Sequence, residues 1–583
     1  MSKNGLWYIW REICKCPVNL LYLKKKIRDM KRMLAAMAAL TMLCATGCKS
    51  VKSHITFAQV DPLQKVLRET TFFPQFDRTL DYAAGESAVF QFVVRSDVEL
   101  TDLQVSVEGM ENVRLGFLGY VSDGYKDNDQ GFDAIVSTQN YYPDPIIETS
   151  RLDNPVPREN SQPVWVTVDI PRDTPAGTYE GTFVIKGRYE GRRFTFRKDI
   201  SYTVYPVVLE EPDLWVTNWF SVDRAEYVFG SEKVEPGSDK YFEFIKMLAE
   251  KMKENHHNVM MFNLSLIDVT LDGEKYSFDY SLFDKVASIF REAGILKMLE
   301  VGHLGGRLGG WDDDFGVRVP LMEGGSLVRR ILPLSDARTR NYCEQFIPSL
   351  VNHIKEMGLY DIYVQHIADE PVDANCKSYV AIARYIKQLA PGIRLIEAIH
   401  SGNLDDVLDV WVPQLDYFSS NYDFYKSKME EGDQVWFYTC MYPHGDYANR
   451  FLEQPLLKTR LLHWINYRYG ATGYLHWGYN YWHDDVWSDI STVTSAGSVL
   501  PAGDAYIIYP GDGQIYRSIR FEAFRDGIAD YTLLKMLAEK DKDAAERLCR
   551  STVFSFRKYD MTSHHFYDTR TEILKLLSGT ATE

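Results

Sequence analysis

The chain has 583 residues, of which 45% are hydrophobic and 14% aromatic, which is enough apolar material for a large core in several domains. Its formal net charge is −16, and no long basic run follows residue 32. Because nucleic acids are bound by clustered lysine and arginine, this charge pattern argues against a nucleic acid partner. The high aromatic content suits a cleft that binds sugars.

Residues 1–47 are predicted to be a signal peptide. A short basic stretch precedes the apolar segment Leu34–Ala45, which is too short to span a bilayer. Small residues then stand directly before Cys48, as in a bacterial lipobox, so we expect Cys48 to be lipidated. An ordinary signal peptide or a buried helix is the alternative. Residues 1–29 are interpreted as an upstream extension or an unusually long basic region.

These features predict an exported protein that is held at the membrane only by a lipid anchor. The residues after Cys48 carry no acidic export tag, so a periplasmic and a cell-surface location both stay open.

Residues 48–61 are predicted to be a polar tether and residues 62–208 a β-sandwich. Short strand-forming runs such as Ser87–Arg95 and Val164–Ile170 are separated by turns rich in glycine and proline, a pattern typical of all-β domains. The proline-rich stretch Tyr141–Ile147 is predicted to be a rigid loop that reaches over a neighbouring element.

From Leu214 onward, predicted strands alternate with helices such as Lys240–Asn255 and Arg338–Met357. The eight predicted strands are Leu214–Asn218, Asn258–Asn263, Leu296–Gly302, Ile362–Ala368, Arg394–Ile399, Tyr417–Asn421, Val435–Cys440 and Gly473–Trp477. This alternation predicts a (β/α)₈ barrel of the TIM type over residues 209–500. Residues 501–583 are predicted to be a C-terminal cap, with a strand pair around Ala505–Tyr509 followed by helices.

Two adjacent carboxylates, Asp369 and Glu370, stand at the end of the fourth predicted strand, directly before Pro371. A carboxylate at this end of a barrel strand faces the active-site mouth. Most retaining glycosidases place two carboxyls ~5 Å apart on opposite sides of the scissile bond, which neighbours in one strand cannot easily do.

Adjacent carboxylates suit substrate-assisted catalysis, in which the 2-acetamido oxygen of the sugar attacks its own anomeric carbon. Asp369 then stabilises the acetamido N–H while an oxazolinium forms, and Glu370 protonates the leaving oxygen. Like charges at close range raise the pKa of one carboxyl, which helps the acid keep its proton near neutral pH.

Polar and aromatic residues at the other predicted strand ends are candidates for substrate binding, because aromatic rings stack on the apolar faces of sugars. Packing between loops is the alternative for each one. The candidates are His303, Arg307, Trp311, Asn421, Tyr438, Tyr442, His476, Trp477, Tyr479 and Trp482.

No metal and no cofactor are predicted. His256 and His257 are adjacent, so a helix would point them apart, and the acidic run Asp312–Asp314 is more typical of a solvated loop. The cysteines after Cys48 are too far apart for a CxxC motif.

Several of these motifs resemble the glycoside hydrolase family 123 β-N-acetylgalactosaminidases. They are Ala368–Pro371, Tyr142–Pro145, Pro175–Gly181 and the tail Tyr509–Gly511 with Ser518–Tyr531, and the tail is also similar to the DUF4091 family. The resemblance implies a sandwich plus barrel, retention of configuration, and the roles given above for Asp369 and Glu370. It also implies release of terminal N-acetyl-β-D-galactosamine from glycans such as glycosphingolipids.

Two alternatives stay open. Instead of such a galactosaminidase, the chain could be a glycosidase of the same fold that acts on a different sugar. It could also be a non-catalytic glycan-binding surface lipoprotein.

Overall fold

The structure is a computed structural model that describes residues 55–123, 131–230, 233–404, 406–488, 492–493 and 499–579. From Ile55 onward the chain forms one compact unit. The predicted signal peptide and Cys48 lie outside the described residues. In the ranges described, no helix has both the length and the apolar character that crossing a bilayer requires.

The N-terminal region consists of ten strands in two five-stranded sheets. In chain order the strands are β1 (Ile55–Val60), β2 (Leu80–Ala84), β3 (Ser87–Ser96), β4 (Leu100–Glu108), β5 (Val113–Ser122), β6 (Tyr141–Ile147), β7 (Arg151–Leu152), β8 (Ser161–Asp169), β9 (Gly177–Tyr189) and β10 (Arg192–Val208). One sheet has the order β1-β3-β8-β5-β6 and the other β2-β10-β9-β4-β7. Phe92 of β3 stacks on Phe183 of β9 with ring centroids 3.8 Å apart, so the sheets pack face to face over an apolar core.

Two sequence predictions in this region were wrong. The segment assigned to a polar tether contains β1, because Ile55 and Val60 are buried, the strand pairs with β3, and Phe57 stacks on Phe196. The stretch Tyr141–Ile147 is the edge strand β6 rather than a loop, and an edge position tolerates its two prolines. It does contact a distant element, since Ile146 N donates to the carbonyl of Arg517 at 2.8 Å.

After β10, strands and helices alternate in a mixed α/β region. The strands are β11 (Trp215–Asn218), β12 (Val259–Phe262), β13 (Asp268–Asp272), β14 (Lys275–Asp279), β15 (Met298–Val301), β16 (Gly305–Arg307), β17 (Phe315–Glu323), β18 (Ser326–Leu332), β19 (Tyr363–Gln365), β20 (Ile396–Ile399), β21 (Val410–Pro413), β22 (Gln434–Tyr438) and β23 (Gly473–His476). Parallel pairing joins β11, β23, β22, β21 and β20 in that order, and a second parallel sheet has the order β12-β15-β19.

Two local contacts connect these parallel sheets. A parallel bridge joins Gln365, at the end of β19, to Leu395 before β20. Asn258 before β12 donates its backbone N–H to the carbonyl of Val216 in β11 at 3.3 Å. Its side-chain Oδ1 accepts a hydrogen bond from the backbone N–H of Val216 at 2.9 Å. Seven of the eight predicted strands are present in this set.

The sixth predicted strand was wrong. Residues 415–420 form a helix, and the strand is β21, an apolar run that ends at Pro413. Both segments have strand-forming composition, and β21 is the one that is buried and paired between β20 and β22.

The remaining short strands in the described part of the chain are β24 (Thr492–Val493), β25 (Val499–Leu500), β26 (Tyr509–Pro510), β27 (Ile515–Tyr516), β28 (Val553–Ser555) and β29 (Lys558–Tyr559). The described helices are α1 (Glu226–Phe229), α2 (Asp239–Glu254), α3 (Ser281–Glu292), α4 (Ala337–Glu356), α5 (Cys376–Leu389), α6 (Leu415–Ser420), α7 (Tyr422–Glu431), α8 (Leu456–Tyr469), α9 (Ile519–Lys540), α10 (Lys542–Thr552) and α11 (Ser563–Ser578), with 3₁₀ turns at Leu264–Leu266 and Tyr360–Ile362. The predicted strand pair in the tail is displaced to β26 and β27.

Helix α9 is buried over most of its length, and the buried part includes the charged residues Arg520, Glu522, Arg525, Asp526 and Asp530. Asp144 of β6 accepts hydrogen bonds from Arg520 Nη2 at 2.7 Å and from the hydroxyl of Tyr509 at 2.6 Å, and both charged side chains are inaccessible to solvent. These contacts attach the tail helix to the N-terminal sheets.

We expect Arg520→Met to destabilise the fold by about 3–5 kcal/mol, because it leaves the buried carboxylate of Asp144 without its cation. Urea denaturation at pH 7 measures the loss. Arg330→Gln is the matched control, since the ion pair of Arg330 with Glu323 is exposed and its removal should have no measurable effect. Equal stabilities of the Arg520 variant and the parent would contradict the assignment.

Candidate active site

The two adjacent carboxylates lie in the loop between β19 and α5. The side chain of Asp369 is 49% exposed and that of Glu370 is 19% exposed, so both reach a cleft open to solvent. Glu370 has a left-handed backbone conformation with φ 52°, which residues other than glycine rarely adopt. Arg307 fixes the loop by donating from Nη1 to the carbonyl of Asp369 at 3.0 Å and from Nη2 to that of Glu370 at 2.7 Å.

Glu370 is held by two side chains from neighbouring strands. The hydroxyl of Tyr438, at the end of β22, donates to Glu370 Oε1. His400 Nε2, just after β20, lies 3.3 Å from the same oxygen and 2.5 Å from the Tyr438 hydroxyl oxygen. Burial alone raises the pKa of Glu370, but the hydrogen bond and charge of His400 outweigh it, and the pKa of Glu370 is lowered.

Asp369 has a different environment. Its nearest partner from another strand end is His303, whose Nε2 lies 3.7 Å from Asp369 Oδ1. Partial desolvation by the surrounding protein and the adjacent charge of Glu370 raise the pKa of Asp369 to about 6, although half of its side chain is exposed. The two environments therefore shift the pKa values of the adjacent carboxyls in opposite directions, and Asp369 is the weaker acid of the two in the free protein.

A buried ionic network lies beneath the pair. His366, inside the protein, places Nδ1 2.6 Å from Glu397 Oε1 and Nε2 2.6 Å from Glu300 Oε1. Burial lowers the pKa of His366, but the two carboxylates raise it to about 10, so the ring is an imidazolium at neutral pH. His303 Nε2 is 3.1 Å from the same oxygen of Glu397 and links the network to Asp369.

Glu397 also determines the backbone path to the pair. Its Oε2 accepts hydrogen bonds from the backbone N–H groups of Ile367 at 2.9 Å and Ala368 at 3.0 Å, and from the hydroxyl of Tyr379 at 3.0 Å. These N–H groups are removed from strand pairing, which explains why β19 ends at Gln365 instead of Ala368 as predicted.

Among the described residues, His303, His366 and Glu397 form a group of possible metal ligands. Their ligand atoms lie within 4.8 Å of one another. Both ring nitrogens of His366 are already bonded to carboxylates, and an imidazolium has no lone pair to give to a metal. The donor set therefore fits a proton-bearing network better than a metal site.

Four of the predicted substrate-binding residues contact the carboxylate pair or its loop. His303, Arg307 and Tyr438 do so through the distances given above. Trp311 is 50% exposed beneath the guanidinium of Arg307, 3.9 Å from ring centroid to Cζ, and meets the ring of His400 edge-on at 6.1 Å. Tyr442 is 48% exposed and stacks on His444 in the loop after β22.

Other predicted residues are not brought to the cleft. His476, Tyr479 and Trp482 are at most 1% exposed and so cannot contact a substrate. The reason is a long-range contact: the tail backbone at Asp504 lies against Gly478, where even a Cβ atom would clash. The tail therefore covers this strand end.

The hydrogen bonds of the two remaining candidates go to groups other than Asp369 and Glu370. Trp477 is half-buried and donates from Nε1 to Asp504 at 2.9 Å. Asn421 lies at the junction of α6 and α7, because the sixth strand is elsewhere, and its amide donates to the carbonyl of Tyr417.

Sequence reasoning missed Glu300, His366, Glu397 and His400. A signal was present, since Glu300 and Glu397 each interrupt a short apolar strand that is fully buried. A carboxylate is almost never buried without a partner, so each of them marks a buried polar network.

Comparison with known proteins adds the following findings. The model of the family described as glycoside hydrolase 123, catalytic domain, matches residues 232–537, and that of the glycoside hydrolase 123 N-terminal domain matches residues 83–187. No curated protein sequence matches the chain.

Among solved structures, the chain is similar to a family 123 glycoside hydrolase from Clostridium perfringens that was studied for glycolipid glycan hydrolysis. The TM-score is 0.71 at 16% identity, over 91% of this chain and 97% of that one. A β-glucuronidase from Parabacteroides merdae follows with a TM-score of 0.30 at 11% identity, over 81% and 52%. An endo-β-1,4-mannanase from Thermotoga petrophila has a TM-score of 0.32 at 13% identity, over 55% and 77%.

Because the pKa of Asp369 is raised and that of Glu370 is lowered, replacing each carboxyl by its amide should change the stability of the fold in opposite directions. The pKa of Asp369 is raised on folding, so its ionisation costs stability as the pH rises above about 4, and Asp369→Asn should be more stable than the parent at pH 7. The pKa of Glu370 is lowered, so its charge contributes stability that is lost as the pH falls through the folded-state pKa, and Glu370→Gln should be less stable at pH 7.

Urea denaturation at pH 7 and at pH 3.5 measures both effects, and the difference between each variant and the parent should shrink at the lower pH. A shift of the same sign for both variants at pH 7 would show that the two environments are not distinct.

Proposed function

Because the chain belongs to the glycoside hydrolase 123 family, whose catalytic-domain model covers more than half of it, and is therefore a glycosidase, we propose that it releases terminal N-acetyl-β-D-galactosamine from glycans. The reaction proceeds with retention of configuration and uses the acetamido group of the substrate. The observation that carries this proposal is the pair of adjacent carboxylates that reach one cleft with separate sets of partners.

We further infer the architecture that the sequence predicted. The parallel strands β11, β12, β15, β19, β20, β21, β22 and β23 follow one another as neighbours in chain order, and β23 pairs again with β11. This order supports a (β/α)₈ barrel, preceded by a β-sandwich and followed by a cap that resembles DUF4091.

In the proposed mechanism, the acetamido N–H donates to Asp369 while the acetamido oxygen bonds to the anomeric carbon. The glycosidic C–O bond breaks at the same time, and Glu370 gives its proton to the leaving oxygen. Glu370 then removes a proton from a water molecule, which opens the oxazolinium with a second inversion. Two inversions give net retention.

The opposite pKa shifts of Asp369 and Glu370 in the free site fit these two roles. The acetamido N–H favours the ionised form of Asp369, because it donates to the charged carboxylate. Once Asp369 is ionised, its charge raises the pKa of Glu370 and so favours a proton there. Substrate binding thus favours a proton on Glu370, the residue that must act as the acid.

A glycosidase of the same fold that acts on a different sugar is the alternative, since a likeness at 16% identity supports the fold alone. Thiazolines mimic the oxazolinium and should inhibit only if the acetamido group takes part. Strong inhibition by N-acetylgalactosamine-thiazoline and none by a sugar analogue without the acetamido group would favour the proposal.

We expect Glu370→Gln to lower kcat on β-N-acetylgalactosaminides by at least ~10²-fold, because general acid catalysis is typically worth that much. The loss should be larger for a methyl glycoside than for a dinitrophenyl glycoside, whose leaving group needs little protonation. Asp369→Asn should lose activity on both substrates alike. Steady-state kinetics on the two glycosides make this measurement.

The two variants serve as each other's control, since both are isosteric and lie in the same loop. Full activity of Glu370→Gln on the methyl glycoside would remove Glu370 from the acid role. Binding of the glycan with no turnover by the parent protein on any amino-sugar substrate would instead favour a non-catalytic lectin.

We also propose that the protein is exported and anchored by a lipid on Cys48, on the basis of the sequence pattern before that residue. Cys48→Ser should lose incorporation of labelled fatty acid and should move from the detergent phase to the aqueous phase. Cys44→Ser is the matched control and should keep both properties. Label retained in the Cys48 variant would show that the lipid site is elsewhere or absent.

A further inference from the structure

A cavity of about 230 Å³ adjoins the Asp369 side of the cleft. Its walls come from the hairpin β13–β14, the hairpin β17–β18, the start of α4 and the ends of β12 and β15. Its polar lining includes Asn263, Ser265, His303, Arg318 and Arg329, and no carboxylate lines it. The chain is acidic overall, with 81 acidic and 65 basic residues. A cavity lined by basic groups without an acidic one is therefore a positively charged site in a negatively charged protein.

The two arginines share one face of the hairpin. In the register of β17 and β18, Arg318 stands opposite Ile331 and Pro320 stands opposite Arg329. Because side chains alternate along a strand, Arg318 and Arg329 are diagonal neighbours on the same face, whereas Arg330 lies on the other face. Arg330 pairs with Glu323 at 2.6 Å.

The guanidinium groups of Arg318 and Arg329 have no carboxylate partner in the described part of the chain. Arg318 Nη2 donates only to the carbonyl of Gly305 at 3.3 Å. Arg318 and Arg329 are both exposed residues, but partial desolvation and the like charge of Arg329 lower the pKa of Arg318, and no acidic group opposes this effect. Two adjacent cations that repel each other across a cavity are a favourable site for an anion, which neutralises both.

The position of the cavity indicates which part of a substrate would reach it. His303 lines the cavity, and its Nε2 is 3.7 Å from Asp369 Oδ1. The groups that contact Glu370, His400 and Tyr438, do not line the cavity. In the proposed mechanism Asp369 contacts the sugar that is released and Glu370 contacts the leaving group, so the cavity lies on the side of the released sugar.

We propose that Arg318 and Arg329 form a subsite for an anionic substituent of the glycan, a sulfate ester or a carboxylate, beside the sugar that Asp369 and Glu370 release. This inference rests on the proposed function. Arginine forks match the oxygens of both groups, and Asn263 and Ser265 supply further donors. Sulfate on the released amino sugar places the charge on the side of the cavity, whereas a uronic acid in the next sugar would place the charge on the leaving-group side, beside Glu370.

The test compares kcat/KM for 4-nitrophenyl N-acetyl-β-D-galactosaminide with that for its 6-sulfate and 4-sulfate. A second arm uses a disaccharide in which the amino sugar is linked to a uronic acid, against the same disaccharide with the neutral hexose. We expect at least one sulfated substrate to be preferred about tenfold over its neutral parent, since a charge-assisted hydrogen bond contributes that much. Arg318→Gln with Arg329→Gln should remove the preference, and Arg330→Gln should keep it.

The outcomes separate the two ideas. A preference in the sulfate arm that disappears in the double variant supports the subsite, whereas a preference in the uronate arm alone that disappears there overturns its place beside the released sugar. Equal kcat/KM for charged and neutral substrates in both arms, with the neutral ones hydrolysed, overturns the subsite and leaves the proposed function intact.

Calorimetry with free N-acetylgalactosamine 6-sulfate and 4-sulfate provides a readout that needs no turnover. Binding at least about tenfold tighter than that of the unsulfated sugar, lost in the double variant, supports the subsite even if no neutral substrate is hydrolysed. In that case the proposed function fails while the subsite stands.

Discussion

The geometry of the site depends on a single buried carboxylate, that of Glu397. It accepts from two successive backbone N–H groups after β19, which would otherwise continue the strand, and from the imidazolium of His366. A carboxylate with this many donors and a cation beside it stays ionised in the interior. The loop that carries Asp369 and Glu370 therefore leaves the strand at a fixed point, and Arg307 holds its next carbonyls.

The same network gives the two adjacent carboxyls unlike environments. Asp369 faces His303, which is shared with Glu397, whereas Glu370 faces His400 and Tyr438 from the following strands. Neighbours in sequence therefore contact groups from opposite sides of the cleft. In the proposed mechanism, this division lets one residue accept a hydrogen bond from a bound amide while the other delivers a proton.

Local sequence pattern was sufficient where a residue's environment is set by its own strand. Seven of the eight parallel strands and the position of the carboxylate pair followed from apolar runs and their stops. It failed where the environment comes from distant chain: the tail covers His476, and Val410–Pro413 rather than Tyr417–Asn421 fills the gap between β20 and β22. The arginine pair at the cavity could not be predicted either, because it depends on hairpin register.

The tail motif itself has a physical meaning. Its charged residues bind the N-terminal sheets, as Arg520 does with Asp144, and Asp530 joins Arg460 of α8 to Arg570 of α11, which reaches Glu86. Asp144 and Arg520 are 376 residues apart, so the partner of this buried carboxylate leaves the ribosome long after the strand that carries it. In a nascent chain the buried carboxylates of Asp144 and Glu86 therefore lack these arginines until α9 and α11 have been made, and we expect the N-terminal sheets to reach full stability only then.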